Sequence, residues 1–542
     1  MITSISIENF KGIGERVDIP IKPITLLFGA NSAGKSTILH ALHYAREIFE
    51  RHNLDPDRTI GGGYFVDLGG FENFVHRHDV RRGVILKFEL DLSGRELPDY
   101  VPNRDDLLAR SPETIIDVSG IKTASVEVSV GRYLQDYLAV EHYAVEIDGE
   151  ALAMIFFTPD EFRVRLGRIN TQHPIFRQGA SANLLPVPEW SWFRVHYDAL
   201  FGTPGDREPQ IPISGQADAL PVWGRPLGMR LPNVGDAATS ETLFPQKMEH
   251  DPEEVLNAAV LLQSTLSQLV VGPGELLRES LSEMRYLGPL REIPTRTHQP
   301  PRYADPARWA SGLGAWDTIM ERQPVLDTCN AWLADANRLA TGYRIVNKRF
   351  GELTPELRKM LDTFISDTFD QDIDNVSDHV QNILDNLEQS NRVVIEDCRT
   401  LLELQAQDLG VGIAQLVPVV VAGVDPIAGL TLIEQPELHL HPGMQVRLAE
   451  LFIDRAHRLA GPVLLETHSE HILLRLLRRI REKSEDELPL GHLGLYPEQL
   501  SVVFVERRDG KVVAYPLRID ETGEFRDQWP DGFFEERAEE LF

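Results

Sequence analysis

An α/β fold is what this sequence predicts, and three observations predict it. Short apolar runs at Ile24–Phe28, Leu430–Glu434 and Val463–Glu466 have the length and composition of buried strands. Stretches of helical character follow them at Thr37–Glu50, Gly443–Leu459 and Ser469–Arg479. Between the two ends of the chain, Val84–Leu92 and Val126–Val130 alternate apolar with polar residues, the period of antiparallel strands with one wet face. The expected organisation is an N-terminal lobe over 1–80, a β-rich insertion with long loops over 81–250, a helical insertion used for dimerisation over 251–395, a second α/β lobe over 396–495 and a small α+β tail over 496–542.

Each element has a local reason. Ile2, Ser4, Ile5 and Ile7 form a short β-like run ending at Asn9-Phe10-Lys11-Gly12. Asp148-Gly149, between Tyr143–Ile147 and Leu152–Phe157, is a strong hairpin signal. Residues 171–250 are rich in Pro, Gly, Asn and Ser and read as surface loops. Helical character resumes at Asp251-Pro252-Glu253-Glu254, where Asp suits the N-cap and Pro the first turn, and continues with interruptions to about residue 390. Val411–Val420 reads as a helix, and Ser501–Glu506 with Lys511–Ile519 as a hairpin turning at Asp509-Gly510.

Composition excludes several classes. The 542 residues hold 83 acids against 54 bases, a formal charge of −29, which argues against a broad electropositive face gripping DNA. Two local clusters, Arg475 with Arg478 and Arg479, and His76 with Arg77, Arg81 and Arg82, are the candidates for a basic groove; solvated faces are the commoner use of such runs. Cys329 and Cys398 form no C-x-x-C pair, so no zinc ribbon or disulfide scaffold is expected, and the chain reads as cytoplasmic. The N-terminus lacks the pattern of a signal peptide. The apolar stretch Val411–Ile433 is broken by Gln415, Pro418, Asp425 and Pro426, which argues against a membrane span.

Four motifs carry chemistry. Gly29-Ala30-Asn31-Ser32-Ala33-Gly34-Lys35-Ser36, followed by Thr37, fits G-x-x-x-x-G-K-[ST] between a strand and a helix. Its backbone N–H groups would wrap phosphates, Lys35 would sit on the β/γ-phosphates, and Ser36 would ligate Mg²⁺. The strand ending in Glu434-Gln435-Pro436-Glu437 would deliver an acid to the same sheet edge. The strand ending in Glu466-Thr467-His468-Ser469 would bring His468 toward a γ-phosphate or attacking water. Asp408-Leu-Gly410-Val-Gly412-Ile-Ala-Gln415 is a second glycine turn leading into a helix, useful if it caps the nucleotide of another copy.

With these motifs in this order, the chain resembles the ABC-type P-loop ATPases of the SMC, RecF and OLD (overcoming lysogenization defect) group. The resemblance rests on "ISIENFKGIGE…ITLLFGANSAGKSTILHAL", "DLGVGIAQLVP", "LIEQPELHLHP" and "LLETHSEHIL". "RYLGPLRE" and the tail "GEFRDQWPDGFFEERAEELF" resemble a bacterial subfamily with a short C-terminal domain of unknown function. It implies ATP and Mg²⁺ as cofactors, with Ser36 and Glu434 on the metal and Gly29–Thr37 on the phosphates. It implies that His468 senses the γ-phosphate, and that the Asp408–Gln415 turn, with Gly410 and Gly412, contacts the nucleotide of a partner subunit. ATP would then join two copies in a homodimer or higher even oligomer. The expected setting is a nucleic-acid-processing or anti-phage defence complex with a separate effector protein, or DNA, as further partner.

Two departures qualify the resemblance. The group usually has Glu directly after the metal acid; here Gln435 stands there, and glutamine orients water but takes no proton at neutral pH. Glu437 is the substitute candidate, and the expectation is an ATPase whose hydrolysis is either slow or run on Glu437 and His468. True OLD nucleases carry a C-terminal Toprim nuclease domain, and too few residues follow His468 for one. Asp370, Asp372 and Asp374 match that domain's acidic spacing but sit in a stretch read as helical, so no built-in nuclease is expected. An ATP-sensing scaffold that holds an effector is the alternative to an ATP-driven motor.

Overall fold

The computed structural model describes residues 1–529 except 60–65, 101–117, 119, 134–136, 178–191, 202–208, 231–251, 304, 353–354, 356–357, 360–361, 363–387, 428 and 459. Asp251, the acids Asp370, Asp372 and Asp374, and the tail from residue 530 lie outside the described residues.

Two large sheets organise the molecule. One has six strands in the order β10-β14-β15-β3-β16-β17. These are β10 (Arg285–Leu287), β14 (Thr431–Glu434), β15 (Val463–Glu466), β3 (Ile24–Phe28), β16 (Leu500–Arg508) and β17 (Lys511–Leu517). All neighbours pair in parallel except β16 and β17. Parallel strands need long crossovers. Here the helices Lys35–Arg51, Pro442–His457 and Glu470–Ser484 follow β3, β14 and β15 in the chain.

The other sheet has eight strands in the order β2-β1-β4-β5-β6-β7-β8-β9, antiparallel throughout. They are β1 (Ile2–Glu8), β2 (Val17–Pro20), β4 (Val84–Asp91), β5 (Thr123–Arg132), β6 (Leu138–Ile147), β7 (Glu150–Thr158), β8 (Arg163–Gly167) and β9 (Ile211–Ile213). The expected hairpin is there: Asp148 and Gly149 both take positive φ, 47° and 82°, the pairing a two-residue turn requires. The boundary expected at residue 80 divides no structural unit, because β4 pairs directly with β1. The β-rich insertion is an extension of the N-terminal sheet.

The parallel sheet is a middle layer, with a hydrophobic core on each side. Leu27, Leu432, Leu464, Val503 and Val505 pack into one core with Ile38, Leu42 and Ile48 of the Lys35–Arg51 helix and the inner face of the antiparallel sheet. Ile24, Leu26, Phe28, Ile433 and Leu465 pack into the other with the helices Val411–Val424 and Pro442–His457. Burial on both faces is why these strands are continuous apolar runs rather than alternating ones.

The stretch expected to be helical over 251–395 is only partly so. The helices Pro252–Ser282, Leu313–Glu321 and Gln323–Ala334 are followed by β11 (Tyr343–Glu352) and β12 (Glu388–Asp397), which with β13 (Glu403–Leu404) form a third, antiparallel sheet. Pro273 lies inside the first of these helices, where it can donate no backbone bond, and the Tyr143 hydroxyl donates to the nearby Val270 carbonyl at 2.8 Å. The stretch expected as a small C-terminal domain from 496 opens with β16, which pairs with β3 of the main sheet and carries the hairpin to β17. No helix among the described residues is long and apolar enough to cross a membrane.

Candidate functional site

The loop from Gly29 to Gly34 leaves the carboxyl end of β3 and enters the helix at Lys35. Gly29 and Gly34 have φ of 145° and 113°, conformations that side chains resist. Space excludes a side chain as well: a Cβ at Gly29 would lie 2.0 Å from the Val505 carbonyl oxygen, and one at Gly34 2.5 Å from Val512 Cγ2. Ala30, Asn31 and Ser32 are exposed, Ser32 with φ of 62°, whereas Ala33 is buried and Thr37 N–H donates to the Gly34 carbonyl at 3.0 Å.

Lys35 is 3% exposed. Its ammonium donates to the carbonyls of Gly29 and Ala30, each at 3.0 Å, and lies 3.8 Å from a carboxylate oxygen of Glu466. Burial lowers its pKa from the ordinary lysine value. The Ser36 hydroxyl donates to Glu466 Oε2 at 2.9 Å. Register explains the meeting: Glu466 ends β15, opposite Glu434 on one side and Leu27 on the other.

Glu434 ends β14 with its side chain buried. The Tyr286 hydroxyl of β10 donates to its Oε1 at 2.7 Å. Burial, and then the neighbouring Glu466 carboxylate, push its pKa up to about 7. Burial also raises Glu466. Arg291 secures the backbone just past the strand, donating from Nη2 to the carbonyls of Glu434 at 2.6 Å and Gln435 at 3.1 Å. Burial lowers Arg291 to about 10, and its Nε and Nη1 have no hydrogen-bond partner.

Gln435 takes a left-handed φ of 44° while its N–H donates to the Glu466 carbonyl at 2.7 Å. Glu437 faces the end of β15 and is fully engaged. Its Oε2 accepts from the Thr467 hydroxyl and its Oε1 from the His468 N–H, both at 2.8 Å. Burial raises its pKa nonetheless. His468 keeps a buried Nε2 with no hydrogen-bond partner, and burial, then the charge of Lys35, lower its pKa. Ser469 caps the helix that follows, accepting from Ile472 N–H at 3.1 Å.

The structure therefore brings Gly29–Ser36, Glu434, Gln435, Glu437 and His468 to one edge of the parallel sheet. The Asp408–Gln415 turn joins them through Gln415, whose Nε2 donates to the Arg291 carbonyl at 2.6 Å. Asp408, Gly410 and Val411 are exposed, and Arg296 donates to Asp408 at 3.1 Å. Gly412 abuts the loop after Glu437, where a Cβ would lie 2.6 Å from the His439 carbonyl oxygen. Sequence reasoning missed three members: Glu466, Tyr286 and Arg291. Glu466 was legible as a strand's last residue, like Glu434. Tyr286 and Arg291 flank the Gly-Pro turn of "RYLGPLRE", a strand ending in a turn.

The basic clusters are largely paired off. Arg475 and Arg479 share Glu450, Arg478 and Arg479 reach Glu482, Arg81 pairs with Asp79 and Arg82 with Glu8. His76 is buried, with Nδ1 2.8 Å from the Lys11 carbonyl.

Residues present fit a magnesium nucleotide. The two glycines leave backbone where phosphate oxygens need close approach, and Lys35 supplies the charge. Ser36, Glu434 and Glu466 offer only oxygen donors, the set a hard divalent cation takes. Among the described residues no three His, Cys, Asp or Glu side chains are grouped to hold a metal alone, so the nucleotide's own oxygens would complete the shell.

Comparison with known proteins accords with this geometry. Residues 1–60 and 325–473 match the family model described as an AAA ATPase domain, and residues 495–542 match a family of unknown function, DUF3696. None of the curated proteins matches the chain. Among solved structures, an SMC head bound to the C-winged helix domain of ScpA aligns at 10% identity and TM-score 0.37, covering 96% of this chain and 98% of that one. The SMC head domain from Thermotoga maritima aligns at 9% and 0.33, over 96% and 99%. An SMC head with an extended coiled coil, bound to the C-terminal domain of ScpA derived from Pyrococcus furiosus, aligns at 10% and 0.34, over 95% and 96%. The matched stretches hold the glycine loop and the strands ending at Glu434 and Glu466, and over them the chain is similar to an AAA ATPase domain.

Proposed function

We propose that this ATPase is a slow nucleotide switch: Mg²⁺·ATP binds at Gly29–Thr37, joins two copies through the partner's Asp408–Gln415 turn, and controls a separate effector protein. One observation carries the slow turnover. Each carboxylate near Lys35 is already engaged, Glu434 by Tyr286, Glu437 by Thr467 and the His468 N–H, and Glu466 by Ser36. Gln435, at the usual position of the base, takes no proton.

In this reading Lys35 leaves the Gly29 and Ala30 carbonyls for the β/γ-phosphates, and the loop N–H groups wrap them. Mg²⁺, when bound, supplies charge to offset that building on the phosphate oxygens. Ser36 and Glu434 hold it. Gln435 orients water, and the unpartnered His468 Nε2 contacts the γ-phosphate. Asp408, Gly410 and Val411, exposed at this turn, would meet a second copy. An anti-phage or nucleic-acid-processing role would enter through the effector, since the paired arginines give little support to direct DNA binding.

Steady-state turnover and sedimentation with and without Mg²⁺·ATP test this. Expected are ATP-dependent dimers and turnover well below ~10 s⁻¹, the median for enzymes. His468→Ala should keep ATP binding and lose the remaining turnover. Turnover at or above that median would sink the switch, and an ATP-independent mass would sink the sandwich.

A further inference from the structure

The parallel sheet presents two acids side by side, yet only one was expected at the metal. It is the other that meets the phosphate loop. Ser36 Oγ lies 2.9 Å from Glu466 Oε2, and Lys35 Nζ 3.8 Å from Glu466 Oε1, whereas Glu434 is bonded by Tyr286. Glu466 is 6% exposed and its backbone is fixed from two sides, by β3 and by β14, where its carbonyl accepts the Gln435 N–H at 2.7 Å.

A serine hydroxyl has one proton and two lone pairs. It ligates a cation well only when the proton points elsewhere. We propose that Glu466 is a positioning acid of the divalent-cation site: it accepts the hydrogen bond of the Ser36 hydroxyl, turns a Ser36 lone pair outward to the cation, and adds a second carboxylate beside Glu434. This rests on the reading of Gly29–Ser36 as the site of Mg²⁺·ATP.

A second observation points to a ligand at the same edge. Arg291 is 4% exposed, sits on the Glu434 and Gln435 carbonyls, and leaves Nε and Nη1 without hydrogen-bond partners. A buried guanidinium with idle donors beside two buried acids marks a place built for a further anion, as a cation-bound triphosphate would bring.

The alternative use of Glu466 is as a stand-in for phosphate, a carboxylate that Lys35 and Ser36 hold until phosphate displaces it. The two uses predict opposite results. Mn²⁺ affinity in the presence of a non-hydrolysable ATP analogue would be measured by electron paramagnetic resonance, and analogue affinity alone in EDTA, for the full chain and for Glu466→Gln and Glu466→Ala. If Glu466 positions the cation ligand, Mn²⁺ affinity falls ~10–100-fold in Glu466→Ala, as for other outer-shell partners of metals. Glu466→Gln, which keeps an acceptor for Ser36 and loses the charge, falls less. Metal-free analogue affinity stays within a few-fold of the parent. Unchanged Mn²⁺ affinity with tighter metal-free binding overturns the proposal in favour of the stand-in. An equal loss in both measurements overturns it in favour of a role in folding of the loop. A parent chain that binds the analogue under neither condition removes the nucleotide reading itself, and the proposal with it.

Discussion

The two large sheets of this protein differ in where they keep their chemistry. In the parallel sheet, β14, β15 and β3 run the same way, so Glu434, Glu466 and the glycine loop emerge at one edge, with Glu466 within hydrogen-bond reach of Ser36. In the antiparallel sheet, successive strand ends alternate between two edges, and its polar pairs, such as Ser125 with Glu146 and Ser129 with Glu141, are cross-strand bonds within the sheet. A parallel sheet concentrates function at its carboxyl edge, while an antiparallel one spreads its polar groups along its faces.

Substitutions should separate the two. The largest effect is expected from Phe88→Ala, in the middle of β4 and fully buried. It should cost about 3–5 kcal/mol in denaturant unfolding, with ATP affinity unchanged in the folded fraction. Loss of ATP affinity there would break the contrast. Lys35→Ala should show the reverse, weakening ATP binding by ~100-fold or more in calorimetric titration while the fold is retained. Tyr286→Phe removes one donor from Glu434 and little volume; turnover should fall ~10-fold with ATP affinity nearly constant, as for other groups that orient a metal ligand. A parallel drop in affinity would show that Tyr286 shapes the cradle rather than the acid.

The smallest effect concerns pH. The Asp218 carboxylate, 2.8 Å from His52 Nε2, raises the His52 pKa above its ordinary value, burial opposing it only in part. A raised pKa means stabilisation that is fully present below the ordinary histidine value and lost as pH rises through the folded one. His52 is 40% exposed, so solvent screening keeps the effect below ~1 kcal/mol. Melting curves at pH 5.5 and pH 8.5 should show the parent's advantage over His52→Gln shrinking on the alkaline side. A constant difference would remove His52 as the titrating group.

Much of the parallel sheet was legible because burial on both faces erases alternation. Val463–Glu466 emerges with the bounds read from sequence, and the strand before the glycine loop does too. The helix after the loop starts at Lys35 rather than Thr37, within the ordinary blur of helix ends. What stayed hidden depends on partners distant in the chain. The β11 strand lies in a stretch read as helical, and its mate β12 begins at Glu388, across a long intervening segment. Glu466 could be read as a strand terminus, but its place beside Ser36 follows only from the order β14-β15-β3. Glu437 was the substitute candidate for the base, and only the tertiary contacts with Thr467 and the His468 N–H show both its oxygens in use.

The hairpin of β16 and β17 sits directly behind the phosphate loop. Val512 would meet a Cβ at Gly12 or at Gly34, the Val505 carbonyl would meet one at Gly29, and Val512 N–H donates to the Gly12 carbonyl at 3.0 Å. The phosphate loop and the β16–β17 hairpin are thus packed against one another, and neither can shift alone. A bulkier residue at 512 would push on the nucleotide cradle nearly five hundred positions upstream. Lineages that alter the hairpin should therefore carry matching changes in the loop, and grafting a foreign tail onto this chain should injure nucleotide binding before it injures solubility.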